Sequence, residues 1–420
     1  MERFTFAHMA DCHIGSWRDP KLKDISLDAF IKSIDICLER KVDFILISGD
    51  LFNTSLPSID NLKATVKKLK QVHKADIPVY IIAGSHDFSP SGKTMLDVLE
   101  EAGLVKNVFQ GDVADEKLHL RFTQDPKTKV KITGILGKKG TLERSYYEDL
   151  FRTPLESEPG YKIFMLHTAL TELKPSDLGD MDSAPISFLP KNFNYYAAGH
   201  VHIVKEHHDE DYKDVVYPGP LFPNNFSELE KLGKGGFYIV DVSKNPSSSA
   251  DSYTNSLEFV PVIVHPVLSF DVDCNDLLPE QVEKKILAAI EKKDLRRHIV
   301  TLRLHGTLSS QKPSDIDFKK IYSNIYSKGA FFTMKNTYKL ESKEFEDMAV
   351  QSSSQEEIED AVIDKHSKEF NFTHNRFSDQ HELIKDLIDI LSVEKLEGEK
   401  NPDFETRLKT ELDQFLLNNK

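Results

Sequence analysis

Short apolar runs alternate with longer stretches of helical periodicity along the first part of the chain. The runs are rich in Ile, Val, Phe and Tyr and are closed by Gly, Asp or His, which predicts β-strands. They span residues 4–10, 44–48, 79–83, 163–166, 195–198, 215–217 and 237–240. Between them, apolar residues recur every three or four positions over 27–38, after Ser26, and over 62–69, after the N-cap candidate Ser58. The alternation predicts an α/β fold for this part of the chain.

A second pattern begins after a short polar segment at residues 245–251. It predicts a strand over 259–267, a helix over 282–291, a strand over 299–304 and a helix over 318–325. We therefore expect a first domain over residues 1–256 and a small α+β domain over residues 257–348. A Ser-rich and Glu-rich stretch that begins at residue 351 is typical of a solvated linker, which we place at residues 349–374.

The C-terminal segment, residues 375–420, carries two apolar stripes at helical spacing. The first consists of Leu383, Leu387 and Leu391, and the second of Phe404, Leu408, Leu412 and Leu416. Gly398 and Asn401-Pro402 separate them and predict a helix end followed by a helix start. Two short amphipathic helices cannot bury both apolar faces by themselves. They therefore either fold back on the preceding domains or dock on a partner.

The predicted strands of the first domain are followed by acidic and histidine side chains. These side chains are Asp11 and His13, Asp50, His86, His167, and His200 with His202. In open α/β sheets, ligands collect at the carboxyl ends of the strands, so the fold would bring them together. Imidazoles and carboxylates without thiolates suit a borderline or hard divalent cation. The set exceeds what one tetrahedral ion needs. It predicts two ions that share a carboxylate, an arrangement typical of phosphoryl hydrolysis.

These motifs resemble those of the calcineurin-like metallophosphoesterase superfamily. The matching segments are Asp11-Cys12-His13, Gly49-Asp50, Gly84-Ser85-His86-Asp87, His167 and Gly199-His200-Val201-His202. As a whole, the chain resembles the DNA double-strand-break repair nucleases of the SbcD type, or Mre family. The resemblance implies a β-sandwich flanked by helices, a small α+β capping domain and a C-terminal helix pair.

The resemblance also implies a role for each site residue. Asp11, His13 and His202 would hold one ion, Asp50 would bridge, and His167 and His200 would hold the other. The cofactor would be two divalent metal ions, with Mn²⁺ as the first choice. The family usually has asparagine where this chain has Ser85, whose hydroxyl would be a weaker ligand for the second ion. His86 would act as the general acid, with Asp87 orienting it.

The implied function is a two-metal DNA nuclease, with exonuclease and endonuclease activity, that processes DNA double-strand breaks. Its partners would be DNA and an SMC-like coiled-coil ABC ATPase of the SbcC type, which would dock on the C-terminal helix pair. A homodimer would form through helices of the phosphoesterase domain.

Two alternatives to this function stay open. The first is another phosphodiesterase or nucleotidase of the superfamily. The second is a non-catalytic scaffold whose metal site has degenerated at Ser85.

Composition and net charge bear on the partners and the cellular location of the protein. A net charge of −14 is unusual for a protein that coats DNA. It does not exclude a nuclease, because carboxylates that bind metal count as negative in the sum. No apolar run is long enough to span a membrane, and no secretory signal is evident. The three cysteines predict no disulfide framework. We therefore expect a cytoplasmic, nucleoid-associated protein that does not bind a membrane.

Overall fold

The computed structural model describes residues 3–89, 94–138, 140, 142–175, 178, 181–244, 252–343, 380–393 and 401–418. The side chains of residues 380–384, 389, 401–403 and 416–418 lie outside this description. The chain divides into two compact units, one made of Met1–Asp271, Ala289–Arg303 and Tyr322–Asn336, the other of Val272–Ala288, Leu304–Ile321 and Thr337–Lys420. The predicted domain boundaries at residues 256 and 348 stay predictions, and the predicted linker over 349–374 lies outside the described residues.

The strands are β1 (Arg3–Met9), β2 (Phe44–Ser48), β3 (Val79–Ile82), β4 (Lys106–Asn107), β5 (Gly111–Ala114), β6 (Lys117–Leu120), β7 (Thr123–Gln124), β8 (Lys131–Ile135), β9 (Lys162–His167), β10 (Tyr195–Gly199), β11 (Lys205–His207), β12 (Val215–Tyr217), β13 (Gly235–Lys244), β14 (Tyr253–Val262), β15 (Val267–Asp273), β16 (Ile299–Leu308) and β17 (Phe332–Ser342). The helices are α1 (Ile25–Arg40), α2 (Ile59–Lys74), α3 (Met95–Glu101), α4 (Arg144–Glu148), α5 (Arg152–Ser157), α6 (Phe226–Leu232), α7 (Pro279–Glu291), α8 (Phe318–Ser327), α9 (Gln380–Leu391) and α10 (Asn401–Asn418).

Two six-stranded sheets lie in the first unit, in the orders β14-β13-β1-β2-β3-β4 and β11-β12-β10-β9-β8-β7. Strands β1 to β4 run parallel in the first sheet, as do β8, β9, β10 and β12 in the second. Aromatic side chains fill the space between the sheets: Phe6 stacks on Phe44 and meets Tyr195 of the other sheet edge-to-face at 5.1 Å between centroids. Such pairs add stabilisation beyond the area that they bury. The sheets therefore form a sandwich.

Helices cover both outer faces of the sandwich. Apolar residues of α1, α2 and α3 pack on the first sheet, and those of α4 and α5 pack on the second. The central strands of both sheets are therefore buried on both faces. This double burial explains why their sequences are continuously apolar and do not alternate between apolar and polar residues. The predicted α/β sandwich flanked by helices is confirmed.

Local signals in the sequence differ in how well they predicted these elements. Ser58 caps α2 as expected, since its side chain accepts a hydrogen bond from the Asn61 amide. Ser26 instead lies inside α1, buried, and its hydroxyl accepts a hydrogen bond from the Gly15 amide. The single strand predicted over 259–267 is wrong. Strand β14 ends at Val262, and β15 begins only at Val267, because the chain bends at Val264 and His265 between them.

Strand β14 pairs with β13 along its whole length and thus extends the first sheet past residue 256. Strands β15, β16 and β17 form a separate three-stranded sheet, and α7 and α8 occupy the stretches in which helices were predicted. At the C-terminus, α9 and α10 contact each other, as expected for a helix pair. Among the described helices, none combines the length and apolar character that a membrane crossing requires.

Candidate metal centre

The ligand candidates lie where the central strands of both sheets end. Asp11 follows β1, Asp50 follows β2, and His167 is the last residue of β9. Neighbouring parallel strands end at the same edge of a sheet, so these residues converge although they are distant in the chain. His200 and His202 follow β10, which is the neighbour of β9. The tertiary fold, and not a local motif, assembles the site.

Among the described residues, the convergence produces three groups of potential ligand atoms, and the atoms within each group lie within 4.8 Å of one another. The groups are Asp11, His13 and His202; His13, Asp50 and His86; and Asp11, Asp50 and His167. Asp11, His13 and Asp50 each belong to two groups, so the groups overlap and form one continuous cluster. His200 belongs to none of them, although its ring centroid lies 5.1 Å from that of His167. Its backbone amide instead donates to both oxygens of Asp11, at 3.0 and 3.1 Å.

Several nitrogen atoms in these groups lie close to another nitrogen or to a carboxylate oxygen. The Nε2 atoms of His13 and His202 are 3.1 Å apart, and the Nε2 atom of His167 is 3.2 Å from Asp50 Oδ2. His167 Nε2 is buried beside this carboxylate oxygen, but it makes no hydrogen bond of good geometry to any described residue. A buried polar atom without a well-formed hydrogen bond is costly. A divalent cation between these groups would satisfy them, so the residues present fit a metal centre.

Backbone strain marks the same residues. Asp11, His13, Asp50 and His200 have φ angles of 50°, 41°, 49° and 92°, in a region that residues other than glycine rarely adopt. Hydrogen bonds between the loops hold this conformation: the Asp11 amide donates to the Gly49 carbonyl, and the His13 amide donates to the Asp50 carbonyl. Ten other described residues besides glycine also have positive φ angles, so the strain accompanies the site without identifying it.

Two glycines allow the loops to approach His167. A Cβ atom on Gly49 would lie 2.1 Å from Nδ1 of His167, and one on Gly199 would lie 2.1 Å from the Ser48 carbonyl oxygen. That carbonyl accepts a hydrogen bond of 2.8 Å from His167 Nδ1, which directs the opposite nitrogen, Nε2, at Asp50. The glycines of the Gly-Asp and Gly-His motifs therefore have a packing role in the site.

Burial and charge set the protonation of the histidines. Burial lowers the pKa of His13 and of His200 to about 3, so both rings are neutral and able to ligate at neutral pH. Burial also opposes the charged form of His167, but the Asp50 carboxylate outweighs it and raises the pKa of His167 to about 10. In turn, although burial favours the neutral form of Asp50, the neighbouring His167 holds the pKa of Asp50 well below its usual range.

Asp87, which is expected to orient His86, bonds to the surrounding backbone, and its catalytic role stays a prediction. Its buried carboxylate accepts hydrogen bonds from the backbone amides of Leu51, Phe52 and Gly84, at 3.0 to 3.1 Å, and makes none to the described ring of His86. Asp87 thus ties the loop after β2 to the loop after β3. A carbonyl orients His86 instead, because Nδ1 of this ring lies 2.8 Å from the oxygen of Asn53.

Sequence reasoning missed Asn53 and a second residue, Glu228, whose Oε1 lies 2.9 Å from Nδ1 of His202. Asn53 acts through its backbone, so no motif identifies it. Glu228 had a signal: Asn225 followed three residues later by a glutamate is typical of a helix N-terminus. The predicted ligand Ser85 is buried in the loop after β3, and its role as a ligand stays a prediction.

Known proteins are similar to this chain in sequence. Residues 4–204 match the family model described as calcineurin-like phosphoesterase. The DNA double-strand break repair protein Mre11 of Methanocaldococcus jannaschii is 31% identical over 65% of this chain and 72% of its own length. The Mre11 protein of Archaeoglobus fulgidus is 28% identical over 76% and 73%, respectively. That of Methanococcus maripaludis is 26% identical over 89% and 94%.

Proposed function

We propose a substrate and partners for this chain on the premise that it belongs to the Mre11 family of DNA double-strand break repair proteins, and is thus a metal-dependent hydrolase of phosphodiester bonds. The proposed activity is a nuclease that processes DNA double-strand breaks, with exonuclease and endonuclease modes. The observation that carries it is the cluster of carboxylates and histidines at the carboxyl ends of β1, β2, β9 and β10. Such a cluster suits the hydrolysis of a phosphodiester.

The proposed assignment gives each cation its own ligands. Asp11, His13 and His202 would hold one, His167 and His200 would hold the other together with Ser85, and Asp50 would bridge them. We propose Mn²⁺ for both, since oxygen and imidazole ligands without thiolates suit this ion. When bound, the cations neutralise the phosphoryl oxygens and make a nucleophile available near neutral pH.

His86 would move the proton to the leaving oxygen. The Asn53 carbonyl can only accept a hydrogen bond, so Nδ1 of His86 carries a hydrogen and Nε2 is the atom that gives or takes a proton. The ring packs edge-to-face on His13 at 4.7 Å between centroids and is partly exposed, so a substrate can reach it beside the cation ligands. Asp87 contributes indirectly, since it fixes the loop that carries His86.

The proposed partners are DNA, a second copy of the chain and an SMC-like coiled-coil ABC ATPase of the SbcC type. Exposed apolar side chains at and near α2 and α3 support a homodimer through helices: Leu56, Ile59 and Val98 are 74%, 82% and 54% exposed. Half-buried Leu387 and exposed Leu391 on α9 support docking of the C-terminal helix pair on the ATPase. The cytoplasmic, nucleoid-associated location stays a prediction.

An assay with three substrates tests the proposal. Purified protein with Mn²⁺ is incubated with linear duplex DNA, with single-stranded DNA and with a small chromogenic phosphodiester, and Asp50→Asn serves as the inactive control. Cleavage of DNA that requires Asp50 supports the nuclease. Hydrolysis of the small ester alone would favour another phosphodiesterase of the family. Metal binding without hydrolysis of any substrate would favour a scaffold.

A further inference from the structure

The ring of His202 has a partner on each side. Its Nδ1 atom lies 2.9 Å from Oε1 of Glu228, whereas its Nε2 atom faces Asp11 Oδ1 at 3.8 Å and His13 Nε2 at 3.1 Å. An ionised carboxylate can only accept hydrogen bonds. Nδ1 must therefore carry the hydrogen, which leaves the Nε2 lone pair directed at the ligand cluster.

The helix cap fixes the carboxylate of Glu228. Asn225, the N-cap of α6, accepts a hydrogen bond from the Glu228 amide at 2.9 Å and donates its own side-chain amide to Oε1. Oε2 accepts from the Asn224 amide at 2.8 Å. Both oxygens are thus anchored to the start of the helix, so Oε1 is held in place for His202.

Contacts on other faces hold α6 itself. Leu229 is buried in the core that α1 and α2 share with the first sheet, and Gly233 ends the helix with a left-handed φ of 64°. The guanidinium of Arg303 forms a forked ion pair with Glu230 and lies 5.2 Å from the ring centroid of Phe226. A helix anchored in this way can position a side chain with little loss of entropy at the moment of binding.

We propose that Glu228 is a positioning residue of the metal centre, which fixes the tautomer and the direction of His202 so that Nε2 can bind a divalent cation together with Asp11 and His13. This inference rests on the two-cation site of the proposed function and not on the identity of the substrate. Ligating histidines usually donate their second N–H to a carboxylate or carbonyl, and loss of that partner typically weakens metal binding by about 10- to 100-fold.

The competing explanation is that Glu228 only completes the helix cap. The two explanations differ in what a carboxylate elsewhere on α6 should do. Glu230 provides the matched control, because it lies on the same helix and pairs with Arg303 rather than with a ligand. Removal of a purely structural carboxylate would lower the melting temperature without selective loss of one cation.

The experiment is calorimetric titration of the metal-free full chain with Mn²⁺ for the parent, Glu228→Ala, Glu228→Gln and Glu230→Ala. We expect two cations to bind to the parent. Glu228→Ala should bind one of them about 10- to 100-fold more weakly. Glu228→Gln keeps an acceptor oxygen but loses the charge, and should weaken the same cation several-fold. Glu230→Ala should bind both as the parent does, and circular dichroism checks that each variant is folded.

A spectroscopic measurement separates positioning from stability. With Zn²⁺ as the diamagnetic probe, the Nδ1–H proton of His202 should give a slowly exchanging resonance in the parent and exchange rapidly in Glu228→Ala. Parent-like binding of both cations by Glu228→Ala or, if that variant is unfolded, by Glu228→Gln would overturn the inference, as would an equal loss in Glu230→Ala. Failure of the parent to bind two cations would count instead against the proposed function.

Discussion

At the scale of single residues, the contacts of His86 are compatible with two roles, general acid and metal ligand. Its ring is held by the Asn53 carbonyl, as expected for a group that transfers a proton, yet it also lies in one ligand group with His13 and Asp50. A general acid and a ligand respond differently to substitution, so one variant decides between the two roles.

We predict that His86→Ser retains nearly normal binding of both cations while nuclease turnover falls by about 10² or more, because the leaving oxygen loses its proton donor. Single-turnover cleavage together with calorimetric titration measures both effects. His207→Ser, which alters a histidine outside the three ligand groups, should match the parent. Loss of a cation in His86→Ser would make His86 a ligand instead.

We propose that Ser85 is a ligand of the second cation and that its hydroxyl is a poorer donor than the asparagine amide expected at this position. An amide oxygen is the better ligand for a hard cation, so we predict that Ser85→Asn tightens the second cation and lowers the Mn²⁺ concentration needed for half-maximal activity. Ser85→Ala, which removes the oxygen, should shift the titration in the opposite direction. Coincident metal titrations of the three proteins would exclude Ser85 as a ligand.

The pKa of His167 makes metal binding dependent on pH. In the metal-free protein, the Asp50 carboxylate overcomes burial and raises the pKa of His167 to about 10, so the ring is protonated at neutral pH. A cation must displace this proton. We predict that binding at pH 8 releases at least one proton and that affinity rises as the pH increases towards 10. Calorimetry in two buffers of different ionisation enthalpy measures the release, and buffer-independent heats would contradict the prediction.

At the scale of elements, the ends of strands β2, β9 and β10 approach one another closely enough that a methyl group would not fit. Gly49 directly follows β2 and contacts His167. Because it has no side chain, the end of β2 can approach His167 of the other sheet. The positive φ of 85° adds a second requirement for glycine. The two requirements can be separated with a second glycine of similar backbone conformation.

We predict that Gly49→Ala displaces His167 and weakens metal binding at least tenfold, whereas Gly160→Ala leaves it unchanged. Gly160 has a φ of 93°, and a Cβ atom there would meet no described atom within 4 Å, so it shares the strain but not the clash. Each alanine should cost about 1–2 kcal/mol through its left-handed backbone. Thermal unfolding measures this shared cost, and calorimetry measures the metal. Equal metal affinities for the two variants would contradict the packing argument.

At the scale of the whole molecule, the helix pair α9 and α10 is the segment that we propose docks on the ATPase. Phe404, Leu408 and Leu412 are only half-buried, whereas the side chains of Leu383 and Leu416 lie outside the described residues. Each apolar side chain contributes roughly 1.5 to 3 kcal/mol when it is fully buried. Binding costs offset part of this, so the stripe need not give high affinity by itself.

We predict that truncation after residue 350 leaves a folded, metal-binding nuclease that no longer associates with the ATPase. Leu387→Glu combined with Leu412→Glu should have the same effect, because each substitution buries an unpaired charge in the contact. Thr410→Glu, at an exposed position of α10, is the control. Pull-down with the coiled-coil ATPase and thermal melting test this. Retained association would contradict docking, and a truncated body that melts far earlier would favour folding back.

The sequence by itself determined the strands β1, β2, β3, β9 and β10, which end at the site, and the order of the acidic and histidine residues that follow them. Continuous apolar runs such as 44–48 predict buried strands, and the residues that close them, such as Asp50 and His167, are readable without a structure. Those signals are local, since a strand and its closing residue are adjacent in the chain. The helix pair at the C-terminus was likewise predictable from its stripes and from Asn401-Pro402.

Only the tertiary structure decided which atoms face each other. Asp87 follows His86 directly, yet its carboxylate bonds to the loop after β2, and Glu228 reaches His202 from a helix 26 residues away in sequence. The end of β14 beyond residue 256 also depended on its pairing with β13. Hydrogen-bond partners and left-handed backbones arise where distant segments meet, so they follow from the packing of the two sheets rather than from spacing along the chain.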